Sequence, residues 1–225
     1  MQRIAVFHSP LKSKFGIPRQ SGLVTELAGT IVLDQGYRSR DAVRGLEDFD
    51  YLWIIWEFSA NKHEARGLTV RPPRLGGNER LGVFATRSPF RPNPIGLSCV
   101  RLSHIDYDAP DSPVIHVLGA DLMDGTPILD IKPYLPYTDA HPDARAGFTD
   151  AVRWQPLEVV IPPCCLSQLS EVQAASLRGI LSQDPRPQYH DNPNRIYGMP
   201  FCDWDVMFRV NGGVAYVEDL RKVSF

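Results

Sequence analysis

The residues of this 225-residue chain that could do chemistry gather in three proline- or glycine-rich stretches. The densest runs Gly82-Val83-Phe84-Ala85-Thr86-Arg87-Ser88-Pro89-Phe90-Arg91-Pro92-Asn93-Pro94-Ile95-Gly96-Leu97-Ser98. Pro89, Pro92 and Pro94 fix φ at three nearby places, so the loop carrying Arg87, Arg91 and Asn93 is largely ordered before any ligand arrives. Rigid loops with polar tips make binding sites; the plainer reading is that the arginines are solvated turn residues. The second stretch, Gly119-Ala120-Asp121-Leu122-Met123-Asp124-Gly125-Thr126-Pro127, ends a strand with two acids three apart. Carboxylates there suit ribose hydroxyls and an amino group, or Asp124-Gly125 is simply a hairpin turn. The third, Asp184-Pro185-Arg186-Pro187-Gln188-Tyr189, presents an arginine and an aromatic from a stiffened loop. Arg186 with Tyr189 could grip a phosphate and stack on a base, or the segment is a helix stop with a packed tyrosine.

Other chemistries lack their signatures. The chain has no phosphate-binding G-x-x-x-x-G-K-[ST] loop, no dinucleotide G-x-G-x-x-G and no G-x-S-x-G elbow, and Lys62-His63-Glu64-Ala65 does not extend to H-E-x-x-H. Histidines 8, 63, 104, 116, 141 and 190 are scattered without ligand spacing, so no metal is expected. A nucleotide-like cofactor would have to be held without a glycine cradle.

The elements that must position these loops read as mainly β. Strands are expected at Arg3 to Phe7, Thr30 to Leu33, Tyr51 to Trp56, Leu81 to Ala85, Ile95 to Leu102, Val114 to Leu118 and Ile128 to Ile131, with a short helix over Asp41 to Asp48. The apolar run Tyr51-Leu52-Trp53-Ile54-Ile55-Trp56 reads as a strand buried on both faces. No long helix separates these strands, which favours an antiparallel sheet or barrel over a parallel βαβ sheet. After Tyr137 the texture changes: a polar loop, a strand over Pro156 to Ile161, one helix from Leu166 to Leu181, and a hairpin turning at Asn211-Gly212-Gly213. The expected division is a barrel over residues 1–145 and a small α+β domain over 146–225.

Composition bounds the rest. Twenty prolines and seventeen glycines suit turns and edges better than helices. The amino terminus has too short an apolar run for a signal peptide and no apolar stretch is long enough for a membrane helix, which leads to the expectation of a cytoplasmic protein. Cys99, Cys164, Cys165 and Cys202 include no C-x-x-C pair and read as reduced thiols. The formal net charge of −2 argues against nucleic acid, but it hides an asymmetry. Arginines 66, 71, 74, 80, 87, 91 and 101 face one acid, Glu79, whereas Ser103 to Asp150 holds nine aspartates against Lys132 and Arg145.

Longer strings are similar to a known family: Phe15-Gly16-Ile17-Pro18-Arg19-Gln20, Asp41-Ala42-Val43-Arg44-Gly45-Leu46-Glu47, Thr69-Val70-Arg71-Pro72-Pro73-Arg74-Leu75-Gly76-Gly77-Asn78, Gly82 through Gly96, Asp124-Gly125-Thr126-Pro127, Asp130-Ile131-Lys132-Pro133-Tyr134 and Asp184-Pro185-Arg186-Pro187. Nearly end to end, the chain resembles the TsaA-like (TrmO) family of tRNA (adenine-37) N6-methyltransferases. The resemblance implies a single-sheeted antiparallel β-barrel acting as a homodimer. It implies methyl transfer from S-adenosyl-L-methionine to N6 of N6-threonylcarbamoyladenosine at position 37, in the anticodon loop of threonine-type tRNA. Carried over by position, cofactor contacts fall on Pro18, Arg19, Gln20, Ser59, Ala60, Arg87, Leu97, Asp121, Leu122, Met123 and Asp124. Where relatives often read Phe-His-Gln this chain has Phe58-Ser59-Ala60, so only backbone contacts carry over there. Arg91, Asn93, Arg186 and Tyr189 are the substrate-binding candidates, and Arg87, Asp121, Asp124 and Tyr189 the catalytic ones. A ureido nitrogen must be aligned with the methyl carbon and lose its proton, and a threonyl carboxylate suits a bidentate arginine such as Arg87 or Arg91. The rival expectation is a barrel that senses the cofactor and binds RNA without turnover.

Overall fold

The structure, a computed structural model, describes residues 1–61, 67–72, 79–150, 155–187 and 192–223. In chain order the elements are β1 (Ala5–His8), β2 (Ala28–Leu33), β3 (Tyr51–Glu57), β4 (Thr69–Val70), β5 (Leu81–Gly82), β6 (Ile95–Asp106), β7 (Val114–Leu118), β8 (Thr126–Pro133), α1 (Pro136–Asp139), β9 (Glu158–Val160), α2 (Pro163–Leu166), α3 (Glu171–Ser182), β10 (Tyr197–Phe201), β11 (Trp204–Asn211) and β12 (Val214–Lys222). Among the described residues no helix is long and apolar enough to cross a membrane.

Six strands close into a barrel in the order β1-β2-β7-β6-β3-β8, with every pairing antiparallel. Period-two alternation fills its interior: Phe7, Ile31, Leu52, Ile54, Val100, Ile115, Leu122 and Ile128 are all nearly inaccessible. Three local expectations need correction. Strand β3 is not buried on both faces, because closure leaves each strand one inner face: Leu52, Ile54 and Trp56 point inward, Trp53 and Ile55 are half-buried and Tyr51 is exposed. Residues 81–85 are not a barrel strand; β5 pairs only with β4, and Val83–Ala85 turn into a 3-10 helix. The helix expected over 41–48 is two 3-10 turns, Arg40–Val43 and Leu46–Asp48, interrupted by Gly45 at φ 81°.

A second unit is a four-stranded sheet in the order β10-β11-β12-β9, antiparallel except for β9 beside β12. The single helix expected from Leu166 is two, because Ser170 begins a new helix with a reciprocal capping box to Gln173. Strand β10 is an addition to the expected elements: Tyr197, Met199 and Phe201 alternate inward, but the intervening Gly198 and Pro200 read as turn residues. Leu177, Ile180 and Leu181 of α3 pack on Met199, Phe201, Val206 and Phe208. Leu11, Val24 and Leu27, from the long β1–β2 connection, are buried in this second core and not in the barrel. That connection is therefore clamped between the two units, which holds Pro18 to Ser21 in place.

Candidate functional site

Three segments distant in sequence meet at one end of the barrel. The β1–β2 connection is sewn to the β7–β8 turn by backbone bonds from Gly22 N–H to the Gly119 carbonyl (2.8 Å) and Gly119 N–H to the Leu27 carbonyl (2.9 Å). It reaches β6 through Cys99 N–H, which donates to Ser21 Oγ at 3.2 Å. Arg87, exposed on its proline-stiffened loop, donates from Nη1 to Gln20 Oε1. Its positive charge also acts on Asp121.

Asp121 is anchored from inside the barrel. Ser98 Oγ donates to Asp121 Oδ1 at 2.5 Å, and Trp56 Nε1 donates to Ser98 Oγ at 2.9 Å. Burial pushes the Asp121 carboxyl up from its ordinary value; the Ser98 hydroxyl and the Arg87 charge only moderate this. Neither Ser98 nor Trp56 was singled out in the sequence. The available signal was a hydroxyl at an inward position of β6, where Gly96, Ser98, Val100 and Leu102 alternate.

Asp124 has a different environment. It accepts from Lys12 Nζ at 2.8 Å and from Ser9 N–H at 3.1 Å, and pairs with His8 Nδ1 at 3.2 Å. Partial burial alone would raise its carboxyl, but these donors and the Lys12 charge together hold it below the ordinary value. Between the acids, Leu122 is a barrel-core side chain, 1% exposed, and the Met123 carbonyl is taken by the Thr126 amide and hydroxyl. The hairpin reading of Asp124-Gly125 therefore holds together with a polar role for Asp124.

The remaining candidates distribute as follows. Pro18 is buried and Arg19 half-buried, with Arg19 Nη2 donating to the Asp184 carbonyl at 3.4 Å. That contact brings the third loop beside the β1–β2 connection within one chain, and inside the loop Arg186 grips Asp184 with two bonds of 2.8 and 2.9 Å. Ser59 and Ala60 form a turn fixed by Phe58 N–H to the Pro94 carbonyl (2.8 Å) and by Lys14 Nζ to Asn61 Oδ1 (2.6 Å). Leu97, 53% exposed, lies on the outer face of β6 just beyond Asn93, which is itself exposed. Arg91 donates to the Thr86 carbonyl at 3.1 Å and so braces its own loop. Tyr189 lies outside the described residues, as do Arg66 and Arg74 of the cationic segment. Among the described residues no cluster of three or more His, Cys, Asp or Glu could hold a metal ion.

A ligand at this corner meets a guanidinium, a carboxamide, an enclosed carboxylate and an exposed aliphatic side chain. That set suits a molecule carrying a carboxylate, an amine or diol, and an apolar part.

A family model described as the tRNA-methyltransferase O N-terminal domain matches residues 6–140, and one described as the TrmO C-terminal domain matches residues 154–223. The chain is 42% identical over 217 residues to a tRNA (adenine(37)-N6)-methyltransferase of Escherichia coli K12, covering 93% of this chain and 92% of that one. It is 45% identical over 184 residues to the enzyme of the same name from Eikenella corrodens, covering 78% and 99%. A crystal structure of TrmO from Pseudomonas aeruginosa superposes with a TM-score of 0.78 at 32% identity, covering 98% of this chain and 96% of that one.

Proposed function

We infer that this chain, which belongs to the tRNA-methyltransferase O family in both its N- and C-terminal parts, is an S-adenosylmethionine-dependent tRNA (adenine-N6)-methyltransferase. We propose further that the substrate is N6-threonylcarbamoyladenosine at position 37 and that the product carries an additional N6-methyl group. The observation that carries the reading is the junction of Gln20, Arg87 and Asp121 at one barrel end, since the resemblance assigns all three to the methyl donor.

When bound, S-adenosylmethionine supplies a methyl group made electrophilic by its sulfonium. The protein's part is alignment and proton management. Asp121 presents an acceptor toward ribose hydroxyls or an ammonium, Arg87 a fork of donors toward a carboxylate, and Leu97 an apolar surface. The N6 proton must leave as the new C–N bond forms. Of the two described carboxylates Asp121 is the better acceptor, because burial raises its proton affinity, whereas Asp124 is committed to Lys12, Ser9 and His8.

Residues 1–145 form the donor-binding barrel in this proposal, and residues 146–225 engage the tRNA. The intrachain contact of Arg19 with Asp184 supports the second unit serving its own barrel's site. Phe84, Leu97 and Phe90, exposed by 76%, 53% and 47%, supply apolar surface around the site for a homodimer contact. As an enzyme acting on tRNA, the chain is proposed to work in the cytoplasm.

Purified chain is expected to move labelled methyl from S-adenosylmethionine to tRNA that already bears threonylcarbamoyladenosine, releasing S-adenosylhomocysteine. Cofactor binding without that product would establish the binder in place of the enzyme. Arg87→Ala should lower kcat/KM by about 10- to 100-fold with little change in Tm, since an exposed loop arginine has few packing duties.

A further inference from the structure

The outer wall of the barrel carries a row of polar side chains that the methyl-transfer site does not use. His8 on β1 stands opposite Thr30 on β2, Thr30 opposite His116 on β7, and His116 opposite His104 on β6. Four successive strands thus set three imidazoles and a hydroxyl in one line. Register alone brings them together, from positions 8, 30, 104 and 116. His104 and His116 stack with ring centroids 4.2 Å apart and planes 11° apart. A bulge between Leu102 and His104 leaves Ser103 and His104 both exposed. The row lines a cleft of about 430 Å³ that also includes Gly29, Leu118 and, on neighbouring loops, Lys12 and Asp124; the cleft therefore begins at Asp124, on the edge of the residues the resemblance assigns to the cofactor, and runs away from them across β2, β7 and β6.

The chemistry of the cleft narrows its ligand. A cation would meet Lys12, and Asp124 is already occupied by three donors. What remains on offer is donors: each imidazole keeps at least one N–H whether neutral or charged, Thr30 and Ser103 have hydroxyls, and the Lys12 ammonium has N–H bonds beyond the one to Asp124. These donors are spread along a line and do not converge on a point, which matches acceptors repeated along a chain. Arg101, exposed and paired across the strands with Leu118, extends the line along β6. From Leu97 beside the methyl-transfer site to His104 in the cleft, β6 runs seven residues, about 23 Å of strand rise. A net charge of −2 gives the whole molecule little long-range pull on a polyanion, which leaves RNA contact to local clusters of donors such as this one and the arginine-rich segment.

We propose that this cleft is a second RNA-binding site, which takes backbone phosphates of the tRNA away from the nucleotide being methylated. The proposal rests on the reading of the chain as a tRNA methyltransferase. It implies that RNA affinity rises as pH falls. Burial holds His116 below the usual imidazole range, the neighbouring His104 adds to this and Asp106 opposes it, so at neutral pH His116 contributes as a neutral donor. Of the other charged groups, Lys12 and Asp124 stand beside His8, and Arg101 lies three residues before His104 on β6, opposite Leu118. A phosphate between these strands favours protonation of the row.

The test is binding of full-length, unmodified transcribed tRNA to the full chain, followed by fluorescence anisotropy at pH 6 and pH 8 and constant salt. The native chain should bind about five- to tenfold more tightly at pH 6. A His104→Gln/His116→Gln variant should lose most of that pH dependence and show a KM for tRNA raised about fivefold, with kcat and S-adenosylmethionine binding unchanged. His104→Arg should bind more tightly than the native chain at pH 8, a gain that a purely structural role would not produce. Equal native affinity at the two pH values, or a double variant indistinguishable from the native chain, overturns the proposal. Failure of the native chain to transfer methyl groups would bear on the enzymatic reading alone, because this binding needs no turnover.

Discussion

Two aspartates three residues apart have opposite electrostatic fates, because one side chain is enclosed by the barrel end and the other is ringed by donors. Asp121 has a folded pKa above its unfolded value of 3.8, so any stability it contributes is present at low pH and lost as pH rises through the raised value. Its ionised form is therefore a liability at neutral pH. Asp124 has a folded pKa below 3.8, so its contribution is present above that value and lost as pH falls through the depressed one. Asp121→Asn should leave Tm unchanged or higher at pH 7 while lowering activity, with any gain vanishing toward pH 3. Asp124→Asn should cost about 1–2 kcal/mol at pH 7, and the gap from the native chain should close as pH falls through the depressed value. Thermal melts across pH decide it; a shift of both variants in the same direction would contradict these environments.

At the scale of elements, β6 links the core to the site. A Cβ placed on Gly96 would fall 2.2 Å from the Trp56 ring, which is also packed edge-on against Phe58 at 4.3 Å and so has little room to yield. The same indole donates to Ser98, which holds Asp121. Gly96→Ala should therefore cost about 1–3 kcal/mol and depress activity as well, since the strain is delivered to the residue that orients the carboxylate. Gly82→Ala is the control. A Cβ there meets nothing within 4 Å, and its φ of −58° suits any residue, so stability should change by less than about 0.5 kcal/mol. Calorimetric melts of the pair, with methyl transfer measured alongside, separate packing strain from loop chemistry.

At the scale of the molecule, the two units are joined by a shared core. Leu11, Val24 and Leu27 leave the barrel's own chain segment to be buried under α3 and the second sheet. A fragment of residues 1–146 would expose all three, forfeiting up to about 5–9 kcal/mol of burial. It would also lose the Asp184 carbonyl that receives Arg19. The fragment should bind a hydrophobic dye and show S-adenosylmethionine affinity reduced at least about tenfold, because Pro18 to Gln20 would no longer be held. Calorimetry giving the same affinity for fragment and full chain would show that the barrel holds its donor loop unaided.

Much of this protein was legible without coordinates. Alternation and turn residues specify the barrel strands because a period of two, with one face buried, leaves a strand few alternatives. The motifs around Arg87 and Asp121 announce themselves because stiff polar loops are uncommon. Other features depend on partners that the sequence does not name. Whether Asp121 or Asp124 is enclosed depends on Ser98 and Lys12, far away in the chain. The row of His8, Thr30, His116 and His104 exists only through strand register, and the second core takes in the β1–β2 connection only because the two units dock. Local sequence determines which residues prefer a strand, a turn or an interior position. Which of them meet is decided by tertiary packing, since contact energies are summed between segments whose separation along the chain carries no information about their separation in space.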